Sequence, residues 1–285
     1  MIAIDYRKEV KKIRLGLKKT LAVLMLAVLL IAGLPVNVIA SGNVYSWYCK
    51  RTKDHTQPSL PKEFEFISSY GGYYIDVSNY SPDAENKKVY LTFDAGYENG
   101  NVEKILDILK EHQVPAAFFV LSNLISTCPD LITRMANEGH LVCNHTSKHK
   151  DMSRVNTIEE FEKELSDLEK LYKEKTGREM PKYFRPPEGK FSEEMLNFAN
   201  DKGYKTIFWS FAYADWDNNN QMIKDRAKAK IMDNIHNGAV ILLHPTSATN
   251  AAILEEVICE LKADGYTFGT LDELVANNIC RQSNS

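Results

Sequence analysis

Two histidines four residues apart, His145 and His149, are candidate metal ligands. On a helical turn this spacing places both imidazoles on one side, which suits a transition metal. The pair is also consistent with one capping and one exposed histidine, so the spacing alone leaves both interpretations open. Two histidines do not distinguish Zn²⁺, Co²⁺ and Mn²⁺ as the bound ion.

A carboxylate and a guanidinium are candidates for general base catalysis. Asp94 stands between an apolar run at 89–93 and a glycine, so it is either a turn residue or a base that takes a proton from water. Arg185 is either a surface ion-pair residue or the partner that keeps Asp94 ionised and oriented. Pro186 and Pro187 stiffen the loop after Arg185, whose peptide N–H groups could face a developing oxyanion.

His244 is a candidate general acid. It ends the apolar run 240–243, where a histidine is either a satisfied core residue or an acid of suitable pKa. Asp215 could bind its far ring nitrogen, fix the tautomer and raise the pKa, while Leu242 could line an apolar pocket for a methyl group. Nearby aromatic side chains either stack on sugar rings or pack in the core and rim, and they are Tyr97, Phe191, Trp209, Tyr213 and Trp216.

Most of these polar residues follow segments predicted as strands. The seven predicted strands cover residues 89–93, 116–121, 140–144, 183–184, 206–211, 239–243 and 266–270. They are continuous apolar runs separated by amphipathic helical segments, which indicates an α/β fold with a parallel sheet and right-handed crossovers. The sheet could stay open or close. We favour an irregular barrel, because all strand carboxyl ends of a parallel barrel open on one face, where catalytic residues gather.

The first 40 residues have the composition of a targeting segment. Six basic residues lie between positions 8 and 19, an uncharged run follows at 21–34, and 38–40 offers a small-x-small cleavage site. The segment is either a cleaved signal peptide or a retained N-terminal membrane anchor, since with 36–40 the run approaches the ~20 residues of a spanning helix. Both interpretations export the rest of the chain, which we divide into an N-terminal arm (41–86) and a catalytic domain (87–280).

Charge and cysteine content exclude some classes of protein. Residues 41–285 carry 28 basic and 36 acidic side chains, a net charge of −8, which argues against nucleic-acid binding. The five cysteines form no CxxC pair and are odd in number. A disulfide scaffold is therefore not expected at this length. We expect the cysteines to be buried free thiols instead.

The motifs TFDAG, NHTSKH, FRPPEG, ADW and LLH, in this order and spacing, resemble the polysaccharide deacetylase family with the NodB-homology domain, carbohydrate esterase family four. The resemblance runs from about residue 60 to 278. Within it, TFDAGYENG, RPPEGKFSE and FWSFAYADW are similar to the spore-cortex branch, the delta-lactam-biosynthetic de-N-acetylases that act on N-acetylmuramic acid.

The resemblance implies a deformed (β/α) barrel and metal-assisted hydrolysis of an N-acetyl group on a peptidoglycan glycan strand. It implies these roles for site residues: Asp94 as general base, Arg185 orienting it, His145 and His149 as metal ligands, His244 as general acid tuned by Asp215, and the Glu188 backbone N–H in the oxyanion hole. Trp216, Leu242 and Tyr97 complete the predicted substrate-binding set.

Two positions depart from the family pattern. Ala95 stands where the family has a second Asp that binds the metal, so we expect a divalent ion to be held more weakly, with water or substrate completing its shell. The spore-cortex branch also tends to lack this Asp. Ala212 replaces another common Asp, with no consequence visible in the sequence.

Three functions remain in competition. The first is deacetylation of muramic acid, and the second is deacetylation of N-acetylglucosamine or chitin-like polymers. The third, motivated by Ala95, is a catalytically weak barrel that binds glycan or a protein partner. Retention of Asp94, Arg185 and His244 argues against the third, because a binding relic needs neither base nor acid.

Overall fold

The computed structural model of the protein describes residues 42–52, 54–78 and 85–282, apart from the side chains of 281 and 282. The predicted signal peptide or anchor at 1–40 lies outside these residues. Among the described residues, none of the helices has both the length and the apolar character that a membrane span requires.

Eleven strands and eight α-helices make up the described chain. The strands are β1 Val44–Ser46, β2 Gly72–Tyr73, β3 Lys87–Ala95, β4 Ala116–Val120, β5 Leu141–Asn144, β6 Tyr183–Phe184, β7 Lys190–Ser192, β8 Lys205–Ile207, β9 Phe211–Ala212, β10 Ala239–Leu243 and β11 Tyr266–Phe268. The α-helices are α1 Val102–Glu111, α2 Ser122–Thr127, α3 Pro129–Asn137, α4 Ile158–Thr176, α5 Glu193–Asp201, α6 Lys224–Met232, α7 Ala248–Ala263 and α8 Leu271–Gln282. Short 3₁₀ turns cover Lys62–Tyr70, Met152–Arg154 and Pro187–Gly189.

The main sheet is parallel and strongly curved. Its strand order is β2-β8-β6-β5-β4-β3-β10-β9, and β11 pairs with the beginning of β3. The sheet curls into a half-barrel of eight strands with most of the helices packed outside it, so the predicted α/β class and deformed (β/α) barrel are confirmed.

The predicted fifth strand, 206–211, is wrong as a single element. The chain forms β8, leaves the sheet at 208–210, and re-enters it as β9 beside β10. The N–H of Phe208 still donates to Tyr73 O, whereas the N–H of Ser210 donates to Val240 O. The segment therefore crosses the open side of the half-barrel, a change of neighbours that a continuous apolar run does not reveal.

Two buried layers explain why the strands are apolar on both faces. In β3, alternate side chains such as Leu91 and Phe93 belong to the large cluster beneath the helices, whereas Tyr90 belongs to the cluster inside the barrel. Leu271 and Leu274 of α8 join the interior cluster. Helix α8 thus packs against the barrel interior at the end where the strands begin.

The described part of the arm packs closely on the domain. Strand β1 pairs antiparallel with β7, and β2 adds a parallel strand beside β8. Aromatic side chains from the arm and domain form one cluster, including Trp47, Phe64, Phe191 and Phe208. The short helix α2 escaped prediction because six residues are too few to show a helical period.

Candidate active site

Five predicted site residues lie at the carboxyl edge of the parallel sheet. Asp94 is the penultimate residue of β3, and Arg185 and His244 directly follow β6 and β10. His145 directly follows β5, and Asp215 comes three residues after β9. Strands β3 and β10 are neighbours, with Phe93 opposite Leu243. Their parallel pairing therefore brings Asp94 and His244, which follow these two residues, to the same end of the half-barrel, here called the mouth.

Arg185 is fully buried and holds the carboxylate of Asp94. Its Nη1–H donates to Asp94 Oδ1 at 2.8 Å and its Nη2–H donates to Thr92 Oγ1 at 2.8 Å. The Nε–H donates to Ile207 O at 3.0 Å, and Nη2 also contacts Phe208 O at 3.4 Å. A guanidinium held on three sides presents a fixed donor to Asp94.

The charge state of Asp94 follows from its neighbours. Burial by itself would raise the pKa of this carboxyl, but the charges of Arg185, His145 and His244 outweigh burial and lower it. Asp94 is therefore a carboxylate at neutral pH, the form that can accept a proton.

His145 has a defined tautomer. Its Nδ1 lies 2.9 Å from Arg185 O, and because a carbonyl only accepts, Nδ1 carries the hydrogen. Nε2 keeps its lone pair and lies 3.6 Å from Asp94 Oδ2. Burial lowers the pKa of His145 to about 4, so the ring is neutral at neutral pH, as a metal ligand must be.

His149 reaches the same place without a helix. The helical turn considered for this spacing does not form, because residues 145–150 are a loop. Left-handed backbone at Thr146 (φ 70°) and His149 (φ 57°) turns the chain, and the two imidazole centroids lie 5.1 Å apart.

The donor chemistry of this loop fits a divalent ion with two imidazole ligands. His145 Nε2 offers a lone pair beside the negative Asp94, and the His149 ring is adjacent. Ala95 is fully buried in the apolar cluster and supplies no donor. Among the described residues, no three His, Cys, Asp or Glu side chains are grouped to hold a metal.

His244 is held by Asp215. Its Nδ1 lies 2.7 Å from Asp215 Oδ1, and its backbone N–H donates to Oδ2 at 2.8 Å. Burial favours a lower pKa for His244, but the hydrogen bond and charge of Asp215, followed by the charge of Asp94, raise it above its usual value. Asp215 therefore holds Nδ1 and does not bind the far ring nitrogen, Nε2.

Asn250 completes this pair and was missed by the sequence analysis. Its Nδ2–H₂ donates to Asp215 Oδ2 at 2.6 Å and to His244 O at 3.1 Å, while its Oδ1 accepts from Tyr213 OH. Asn250 lies in the first turn of α7, where nothing in the local sequence distinguishes it from a helix residue. Thr92 was also missed; its hydroxyl accepts from Arg185 and donates to Ile241 O at 2.7 Å.

The predicted substrate-binding side chains lie around these pairs. Trp216 is 62% exposed, with its ring centroid 6.4 Å from that of His244. Tyr97 is 43% exposed and accepts a hydrogen bond from Asn218 Nδ2 at 2.6 Å. Leu242 is buried on β10 opposite Thr92. Their contact with substrate remains a prediction.

The turn after Arg185 has an unusual backbone. Glu188 has φ 57° and ψ 10°, left-handed values inside the 3₁₀ turn Pro187–Gly189. Its side chain is exposed and pairs with Lys190 at 2.6 Å.

The comparisons with known proteins agree with this architecture. The polysaccharide deacetylase model matches residues 81–207. The chain is 39% identical over 251 residues to the peptidoglycan-N-acetylmuramic acid deacetylase PdaA of Bacillus subtilis, across 87% of this chain and 92% of that protein. It is 33% identical over 191 residues to a peptidoglycan-N-acetylglucosamine deacetylase of Bacillus cereus, across 66% of this chain and 68% of that protein.

The solved structure of Bacillus subtilis PdaA, a family 4 carbohydrate esterase, superposes with a TM-score of 0.77 at 37% identity, over 83% of this chain and 98% of that one. The chain therefore belongs to the polysaccharide deacetylase family, the NodB-homology group of family 4 carbohydrate esterases. Within this family it falls in the PdaA-like branch, and it is a hydrolytic N-deacetylase.

Proposed function

We propose that the protein is an exported, metal-dependent deacetylase that removes acetate from N-acetylmuramic acid in peptidoglycan, in the formation of muramic delta-lactam in spore cortex. One observation carries the chemistry. A carboxylate held by Arg185 and an imidazole held by Asp215 meet at one sheet edge, and the charge of Asp94 acts directly on the pKa of His244.

The roles follow from the charge states. His145 and His149 would hold a divalent ion such as Zn²⁺, Co²⁺ or Mn²⁺, which would polarise the acetamide oxygen and acidify water. With two protein ligands rather than three, such an ion would be held weakly. Asp94, ionised and fixed by Arg185, takes the proton of the attacking water.

The remaining groups serve the breakdown of the tetrahedral adduct. The Glu188 N–H donates to the oxyanion. His244, whose raised pKa favours the protonated ring, gives a proton to the nitrogen as the C–N bond breaks. Acetate and a free sugar amine are the products, and Leu242 lines the pocket for the acetyl methyl.

The choice of sugar rests on the branch. The chain is 39% identical to a deacetylase named for N-acetylmuramic acid, over most of both chains. In that setting the free amine is the group that closes on the lactyl carboxyl to form the lactam. The glycan strand lies outside the cytoplasm, which agrees with the export segment predicted at 1–40.

Deacetylation of N-acetylglucosamine is a second candidate, favoured by the 33% identity to the glucosamine deacetylase. Acetate release by the metal-loaded protein should be compared on peptidoglycan rich in N-acetylmuramic acid and on chitin oligomers. The proposal predicts faster release from the muramic substrate. Faster release from chitin oligomers would assign the second function.

A further inference from the structure

We propose that Trp47, in the N-terminal arm, is a positioning residue for the active site. It fixes two backbone segments: the turn that carries Glu188, and the crossing at 208–210 beside Arg185. Trp47 acts through these segments and not by contact with substrate. The inference rests on the roles proposed above for Arg185, Asp94 and Glu188. It makes the arm a working part of the enzyme, although the arm's sequence shows no motif.

The first segment is the turn that carries Glu188. The backbone N–H of Trp47 donates to Gly189 O at 2.8 Å, extending the β1–β7 pairing beyond Ser46. Gly189 has φ 64°, and a Cβ there would lie 3.0 Å from Trp47 Cβ and 2.7 Å from the Trp209 ring. The arm therefore packs directly on the turn, which has no room to shift toward it.

The second segment is the crossing at 208–210. The indole Nε1–H of Trp47 donates to Trp209 O at 2.9 Å, and its ring stacks on Phe208 with centroids 4.4 Å apart. Phe208 O and Ile207 O accept from the Arg185 guanidinium. Trp47 thus anchors the stretch of backbone whose carbonyls orient the partner of the base.

The ring of Trp209 links the two segments. The Trp209 ring lies against Gly189. The Arg185 guanidinium lies 5.7 Å from the centroid of the Trp209 ring and 4.1 Å from the centroid of the Phe119 ring. Movement of the backbone at Trp209 would therefore disturb the guanidinium and the turn together. Misplacing a catalytic group by about 1 Å can cost on the order of 100-fold in rate.

Trp47→Phe tests the inference because it keeps an aromatic ring and removes the indole donor. Tyr45→Leu is the matched control, since Tyr45 belongs to the same cluster and contacts the rings of Phe64, Phe66 and Phe191. Steady-state acetate release gives kcat and KM for each variant. Amide hydrogen exchange over residues 185–192 and 205–212 reports the two segments, with 239–243 as the internal reference.

We expect Trp47→Phe to lower kcat by about tenfold, a partial misplacement, with KM changed less than twofold. Exchange should accelerate in both segments and stay unchanged at 239–243. Tyr45→Leu should lower Tm at least as much and keep kcat within twofold. Trp47→Tyr, which also lacks the indole donor, replaces Trp47→Phe if that variant does not fold.

Unchanged kcat in Trp47→Phe would overturn the inference, and so would a loss of kcat equal to that of Tyr45→Leu. Absence of acetate release by the wild type counts against the proposed function instead. In that case the exchange pattern alone decides whether Trp47 holds the two segments.

Discussion

At the scale of single residues, the site depends on two ion pairs in which a fully buried partner fixes a partly buried reactive group. Arg185 is inaccessible to solvent and fixes Asp94, whose outer oxygen faces His145. Asp215 is likewise buried and fixes His244. Each partner lies behind the reactive group, so substitutions of the partner should alter chemistry more than substrate binding.

Asp215→Asn should move the alkaline limb of the pH profile to lower pH. Asp215 raises the pKa of His244, so the protonated acid is present below that raised pKa and is lost as pH rises through it. Without the carboxylate charge, the loss of activity begins at lower pH. The profile of kcat/KM for acetate release measures this shift, and coincident limbs in the two proteins would refute the assigned acid.

Asn250→Ala should lower kcat by about tenfold and cost about 1–3 kcal/mol of unfolding free energy, because Asp215 and Tyr213 each lose a buried partner. Asn278→Ala is the control. Its side chain is also buried and donates to Ile75 O and Leu274 O, away from the mouth. We expect Asn278→Ala to destabilise the protein by a comparable amount and to leave kcat unchanged. Equal losses of kcat in the two variants would show that Asn250 contributes only to stability.

At the scale of elements, the turn Pro187–Gly189 allows the role of the Glu188 backbone N–H to be tested separately from that of its side chain. If the N–H of Glu188 is the useful group, Glu188→Gly should keep kcat within about twofold, since glycine accepts φ 57°. Glu188→Val should lower both Tm and kcat, because a β-branched residue is strained there. Steady-state kinetics and thermal melts of both variants test this, and a large kcat loss in the glycine variant would point to the carboxylate.

Most elements could be predicted because their signals are local. The β3 and β10 strands show as apolar runs, and α4 shows its cap, since Thr157 accepts from Glu160 N. The break at 208–210 could not be predicted, because it is set by hydrogen bonds to Tyr73 and Val240 that lie far away in sequence. The loop form of His145–His149 depends on left-handed backbone that the H-x-x-x-H spacing does not encode.

At the scale of the whole molecule, the half-barrel separates stability from chemistry. The polar pairs occupy the carboxyl edge, while α8 packs against the interior at the opposite end. Leu274→Ala should cost about 2–5 kcal/mol and lower Tm, with kcat of the folded protein unchanged at low temperature. Leu274→Met should cost less than about 1.5 kcal/mol. A loss of kcat parallel to the loss of stability would show that the two ends are coupled.

The charged residues of the site could be predicted from the sequence, whereas the residues that hold them in place could not. Asp94, Arg185, Asp215 and His244 stand at strand ends, and the topology of a parallel sheet brings strand ends together. Trp47 lies more than a hundred residues from the segments it contacts, and its sequence context is that of an aromatic arm. Such contacts become visible only when the chain is folded.

The central claim is that the carboxylate of Asp94 starts hydrolysis of an N-acetyl group on peptidoglycan. Acetate release from muramic-rich glycan by metal-loaded wild type and Asp94→Asn tests it most directly, because the substitution keeps the side-chain shape and removes the base. We predict steady release by the wild type and a loss of at least about 100-fold in the variant. Equal release by both proteins, or none by the wild type from any N-acetylated glycan, would contradict the account.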